Sequence, residues 1–204
     1  MIHLPMTEAD TLRAEVLALF NDVPSAIVNR AILDAATNMM QYIKPRRTLT
    51  IPVQKGVAEY DINKHLPDGI KIATVYEVKQ HGCCLQPMHE CQSSCTPAFD
   101  LDTEGWLELD PPPGDDGELE LTVELMVDNE ACRVPQVLMT RYRQAFKHAV
   151  WAELYGTPSI SDDNGLRRAQ VHAQTAKALI TEAVSHRATR GKAGLHIQRG
   201  ERVL

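Results

Sequence analysis

Residues 99–130 contain no lysine, arginine or histidine, while twelve aspartates and glutamates stand among them. Residues 133–204 are the reverse, with twelve lysines and arginines against five acids. Two blocks of opposite sign on so short a chain suit surfaces that meet different partners, or different faces of one another, more readily than a catalytic pocket. The same blocks are equally what two solvated faces would look like. Basic charge is scarce overall, and the formal net charge is −6. That argues against a dedicated nucleic-acid binder, which neutralises many phosphates and carries a basic face.

Other absences exclude further classes. No apolar run approaches the twenty residues that a membrane-spanning helix needs. The first residues lack the basic start and apolar stretch of a signal peptide, so the expectation is a chain that stays in the cytoplasm where it is made. The five cysteines, Cys83, Cys84, Cys91, Cys95 and Cys132, are odd in number, and four crowd one short stretch. A secreted disulfide framework is spread more evenly, and free thiols are expected. Aromatic residues make up only 5% of the chain, with three phenylalanines. Trp106, Tyr142, Trp151 and Tyr155 therefore read as core or interface anchors before they read as a platform for stacking bases.

Catalytic signatures are lacking as well. There is no G-x-S-x-G, P-loop or G-x-G-x-x-G stretch. Asp110, Asp115, Asp116 and Glu118 offer paired carboxylates, but they surround a proline-rich turn where nothing suggests burial, and a solvated turn explains them. Asp162 and Asp163 precede a helix and suit caps or complements of its dipole. His81, Cys83, Cys84, His89, Cys91 and Cys95 are the best metal candidates, since thiolates and imidazoles can complete a tetrahedral zinc site. No C-x-x-C pair occurs, however, and adjacent Cys83 and Cys84 point apart in an extended strand, so no metal, cofactor or catalytic residue is assigned.

What is present is a change of period along the chain. TEADTLRAEVLALF opens with a capping residue and places Leu12, Val16 and Leu19 on one face of a helix. A second helix starts near Pro24 and carries Val28, Ile32, Ala35, Met39 and Ile43 before Pro45 stops it. Residues 47–127 switch to period two in TLTIPV, AEYDI, IKIATVYEV, WLELD and ELELTVELMV, with turn residues between them. WLELD and ELELTVELMV bracket PPPGDDG and read as a hairpin with its acids on the solvated side. Beyond Pro135 the helical period returns, first up to Gly156 and then, rich in alanine, from Asn164 to Ser185. The glycine-bearing basic end reads as a mobile tail.

The expected fold is α+β: a helical bundle of two N-terminal and two C-terminal helices, an inserted antiparallel β module, and an extended C-terminal tail. Residues 1–46 and 133–186 would form one helical domain, residues 47–132 the β module, and residues 187–204 a flexible basic tail.

The order of parts resembles the head-to-tail adaptor, or connector, proteins of short-tailed bacteriophages. The resemblance rests on the second helix AILDAATNMMQYI, on the β module opening TLTIPVQKGVAEYDI, and most specifically on RYRQAFKHAVWAELYGTPSISDDNGLRRAQVHAQTAKALITEA. The cysteines between residues 81 and 95 are not a feature of that family. The resemblance implies a non-enzymatic virion protein of the neck, assembled in the host cytoplasm. It would form a ring, typically of twelve subunits, docked beneath the portal protein and joined to the tail nozzle or tube, around the exiting DNA and without membrane contact. It assigns portal binding to the tail residues Arg187, Arg190, Lys192, His196, Arg199 and Arg202. The acidic turn Asp110, Asp115, Asp116 and Glu118 becomes an inter-subunit or tail-facing surface. The alternatives are a small nucleic-acid-binding regulator acting through the basic end, or a zinc-binding module built on residues 81–95.

Overall fold

A computed structural model describes residues 4–90, 97–128, 130–158, 160 and 164–197, with side chains given up to residue 185 except at Glu90. The chain divides into two compact units, one from Met1–Met6 and Lys44–Arg133, the other from Thr7–Ile43 and Val134–Leu204.

The second unit is helical. It holds α1 (Asp10–Leu19), α2 (Ser25–Ile43), α3 (Gln136–Thr140), α4 (Arg143–Gly156) and α5 (Gly165–Ile197). In α2, Val28, Ile32, Ala35 and Met39 recur at helical spacing and are buried with Ala31, Ala36 and Met40. Phe146, Val150 and Leu154 give α4 its inward stripe, and Ala176 and Ile180 give that of α5. Alanine at these positions lets helices approach closely. Pro24 caps α2, its carbonyl accepting from the N–H groups of Ile27 and Val28.

The first unit is built on strands. β2 (Arg46–Val53), β9 (Gly117–Val127), β4 (Ile70–Gln80) and β5 (Cys83–Cys84) form one sheet in that order. β3 (Glu59–Asp61), β8 (Trp106–Asp110), β7 (Ala98–Leu101) and β6 (Gln86–Pro87) form a second. The short pair β1 (Met6–Thr7) and β10 (Val134–Pro135) is a third sheet, whose Thr7 and β10 fall in the second unit. The central strand β9 meets β2 from Arg46↔Glu124 to Val53↔Gly117 and β4 from Ile70↔Val127 to Gln80↔Leu119, both antiparallel. Alternation along β9 buries Leu119, Leu121, Val123, Leu125 and Val127 on one face.

Several expectations need correction. The molecule is not a helical bundle with a β insertion: it is mixed α+β, with five helices and three sheets of two, four and four strands among the described residues. Long-range ladders, and not an excursion between helices, organise residues 44–133. The module is not wholly antiparallel either, since β6 and β7 run parallel. WLELD and ELELTVELMV do not form a hairpin. β8 pairs with β3 and β7, while β9 pairs with β2 and β4, so PPPGDDG carries the chain from one sheet to the other. Three consecutive prolines have no N–H to give a ladder, and each flanking strand finds its partners elsewhere.

The helical segments also shift. Thr7 lies in β1, and α1 begins at Asp10 with no side-chain cap bond. The segment after Pro135 breaks into α3 and α4, where the N–H groups of Arg141 and Tyr142 both return to the Val137 carbonyl. The expected extended tail is helical as far as Ile197. Its alanines, arginines, lysine and leucine are good helix formers that continue α5, although Gly191 and Gly194 cost about 1 kcal/mol each.

Candidate functional site

The acidic turn of the β unit is a real surface feature. Asp110, Asp115, Asp116 and Glu118 are all exposed. Asp116 Oδ1 accepts from the Lys55 N–H at 2.7 Å, and the Pro113 carbonyl accepts from the Gly56 N–H at 2.8 Å. These bonds tie the turn to the end of β2, so its carboxylates are presented on a fixed loop. Gly56, at φ +77°, supplies the left-handed conformation the tie requires. Glu118 stands opposite Pro52 on the outer face of the first sheet. Asp110 ends β8 in the other sheet, so tertiary structure separates it from Glu118 by strand assignment.

Acids also line up where sequence reading saw only a solvated strand. In the second sheet, Glu108 faces Glu59 on one neighbour and Asp100 on the other. Like charges directly opposed across strands destabilise a sheet. The signal was the shared position in each strand's period, but it becomes visible only with the register.

Of the basic end, Arg187, Arg190, Lys192 and His196 lie along the backbone of α5, and Arg199 and Arg202 lie outside the described residues. Asp162 and Asp163 are also outside them, as are Cys91 and Cys95. Cys83, Cys84 and Cys132 are free and exposed. Cys84 Sγ donates to Glu77 Oε1 at 3.3 Å, and this bond pushes the thiol's pKa above its usual value, which makes it a poorer nucleophile and ligand at neutral pH. Among the described residues no three His, Cys, Asp or Glu side chains gather as a metal site would need.

The helical unit contains a cluster that sequence reading missed. His148 of α4 and His172 of α5 meet with their Nδ1 atoms 2.9 Å apart. Trp151 stands edge-on to both imidazoles, and Tyr155 stacks on His172 with ring centroids 5.6 Å apart. One nitrogen must donate and the other accept, so the contact holds a single proton. Burial lowers both pKa values below 6.5, helped at His148 by Lys147 and at His172 by His148. Lys147 lies over the Trp151 ring and Arg168 over the Tyr155 ring, so the charged neighbours are cationic. Lys147 also bonds Glu15 of α1, which pairs with Arg143 as well. The Trp151 Nε1 finds no hydrogen-bond partner among the described residues.

Around this cluster the helical unit exposes large apolar side chains. Leu166 is 69% exposed and Leu19 63%, and Tyr42, Val171 and Val184 are exposed too. Leu166, Ala173 and Val184 share one flank of α5, at intervals of seven and eleven residues.

No protein-family model and no curated protein matches this chain.

In this arrangement the Cys84 thiol has its pKa raised by the bond to Glu77, His148 and His172 are paired with each other, and the carboxylates of the acidic turn are exposed. What it offers is a fixed acidic loop, a long helix and apolar flanks, the elements of assembly.

Proposed function

We propose that this protein is a head-to-tail adaptor subunit of a short-tailed bacteriophage, which assembles as a ring, typically a dodecamer, beneath the portal and joins it to the tail nozzle. The reading comes from the resemblance over residues 142–183. The observation that carries it is the exposure of Leu166, Val171 and Val184 on α5 and of Leu19 and Tyr42 in the same unit, whose own core is already filled by Leu12, Val16, Met39, Met40 and Phe146.

A ring needs a heterologous contact, one face of each subunit meeting a different face of the next. Apolar flanks would supply most of the affinity, and the acidic β unit and basic helical end would set the register. The 33-residue α5 is about 50 Å long at 1.5 Å per residue, against about 21 Å for the 14-residue α4. Arg141 of the α3–α4 corner bonds the Ala183 carbonyl at 3.4 Å, and α5 runs 14 residues further. That reach suits the portal-binding role of Arg187, Arg190, Lys192, His196, Arg199 and Arg202. Basic side chains there would also meet the exiting DNA non-specifically. The place of action would be the virion neck, after assembly in the host cytoplasm.

Sedimentation of the protein alone and mixed with its cognate portal ring tests the reading. A complex near one adaptor per portal subunit is expected, and Arg187, Arg190 and Lys192 all changed to Glu should abolish it while leaving the fold intact. A chain that stays small and separate from the portal would refute the adaptor role.

A further inference from the structure

β4 is fully paired on one side only. β9 accompanies it from Ile70 to Gln80, but on the other side β5 reaches only Lys79 and Gln80. Among the described residues, Ile70 to Glu77 therefore form an unpaired strand edge. β7 has a shorter one, because β6 pairs with Ala98 and Phe99 and stops before Asp100 and Leu101. Both edges line the same open groove of about 880 Å³, to which β4 contributes Ile70 to Val75. Its size is that of a ligand cleft, and all of its lining belongs to the β unit.

Its charge is one-sided. Asp68, Asp100, Asp102 and Glu104 line it. The basic side chains lining it are His89 and Lys71, and Lys71 is already paired with Asp128 at 3.1 Å.

We infer that this groove receives an extended, lysine- or arginine-bearing segment of a partner protein, which adds to β4 as a strand. An unpaired edge presents N–H and C=O groups that an added strand satisfies with main-chain hydrogen bonds. Alternate side chains of that strand then point the same way, so basic residues at every second position would face the acids. The ladder of β4 shifts register between Ile72 and Thr74 and again between Val75 and Glu77. Such irregularities interrupt the edge and disfavour long edge-to-edge pairing of copies. The segment is thus short, which makes the contact one of recognition more than of folding. The opposite edge of the same sheet, β2, begins with Arg46 and Arg47 and provides an internal control of the other sign. The inference does not depend on the adaptor reading, since the groove is complete within one unit.

The probe is an end-capped, fluorescein-labelled heptapeptide Val-Lys-Thr-Lys-Val-Lys-Thr, with a counterpart carrying Glu in place of Lys, titrated into the full chain. The lysine peptide should bind at least about tenfold more tightly, and the preference should fade as salt rises from about 0.05 to 0.3 M. Amide shifts should map to residues 70–75 and 99–104. Asp68→Lys together with Glu104→Lys, both at exposed positions, should weaken binding about tenfold with unchanged circular dichroism. Equal binding of the two peptides, or shifts along β2, would overturn the inference. So would concentration-dependent shifts at residues 70–75 without peptide, which would give the edge to a second copy of this chain. Failure to bind the portal leaves this outcome untouched, so the two proposals fail separately.

Discussion

The β unit's buried glutamate and the helical unit's half-buried histidines are handled in opposite ways. In the β unit, Glu124 is buried at the centre of β9, and it is fully managed: it accepts from the Tyr76 hydroxyl, and Arg46, its cross-strand partner, lies 3.7 Å over the Tyr76 ring. Charge, donor and cation complete one another there. In the helical unit, His148 and His172 share a proton beside Lys147 and Arg168, and Glu15, the carboxylate of that network, is already engaged by Lys147 and Arg143. Sheets fix their polar pairs through register, whereas a helix hairpin has only side-chain contacts to set them. The helical unit is therefore the one whose packing should respond to protons.

Each unit holds one of the two tryptophans, Trp106 in the β unit and Trp151 in the helical one. Single Trp→Phe variants consequently give a fluorescence signal for each unit separately, and the contrast can be broken in order of size. The largest effect is expected at Leu121, fully buried on the central strand. Leu121→Ala should cost about 2–5 kcal/mol, seen by Trp106 in denaturant unfolding, and a cost below about 1 kcal/mol would mean that β9 is not the centre of that unit's core.

Next comes Gly69, at φ +78°, where an added Cβ would lie 2.7 Å from the Ala131 Cβ. Gly69→Ala should destabilise the same unit by about 1–3 kcal/mol, through backbone strain and the clash together. Unchanged Trp106 unfolding would show that the loop at Ala131 yields freely.

For the helical unit the sign of the pH effect is fixed. Both histidines have folded pKa values lowered from 6.5, so the unfolded chain binds more protons between the two values. Stability is present in full above about pH 6.5 and declines as pH falls through the lowered values. Unfolding followed by Trp151 should shift to milder conditions between about pH 7.5 and 5, more than that followed by Trp106. His172→Gln, which cannot be protonated, should flatten this dependence, and an unaltered slope would discard the pair as its source.

Smaller still is Glu15, whose pKa is lowered by hydrogen bonds from Lys147 and Arg143 at a half-buried position. Glu15→Gln should cost less than about 1 kcal/mol and matter only at low salt. The smallest stability change is expected from Asp115→Lys, Asp116→Lys and Glu118→Lys combined. Among the described residues the bond lost from the monomer is that of the Lys55 N–H to Asp116, so on the adaptor reading the effect should appear in ring assembly or tail attachment. Assembly that proceeds normally would reduce the acidic turn to a device for solubility.

Much of the helical unit was legible because helix period is a local property. Val28, Ile32, Ala35 and Met39 announce the buried face of α2 within a single window of sequence. Individual strands were legible by their alternation too. Their partners were not. WLELD and ELELTVELMV look like the arms of a hairpin from either side of PPPGDDG, yet β8 pairs with neighbouring β7 and with β3 about fifty residues back, and β9 pairs with β2 and β4. The rows Glu59–Glu108–Asp100 and the free edge of β4 are properties of that pairing, so no single segment could display them.

The sequence by itself determined the two kinds of structure and the opposite charges of its middle and its end, since propensity, charge and hydrophobic period are written residue by residue; it did not foresee that Leu19 and Leu166, on helical apolar faces, stay exposed. Tertiary structure decided that the strands form separate sheets, that the acidic turn passes between them, that two histidines 24 positions apart share a proton, and that β4 keeps an open edge. These depend on which distant elements exclude water from one another, and that choice is made by the whole chain at once.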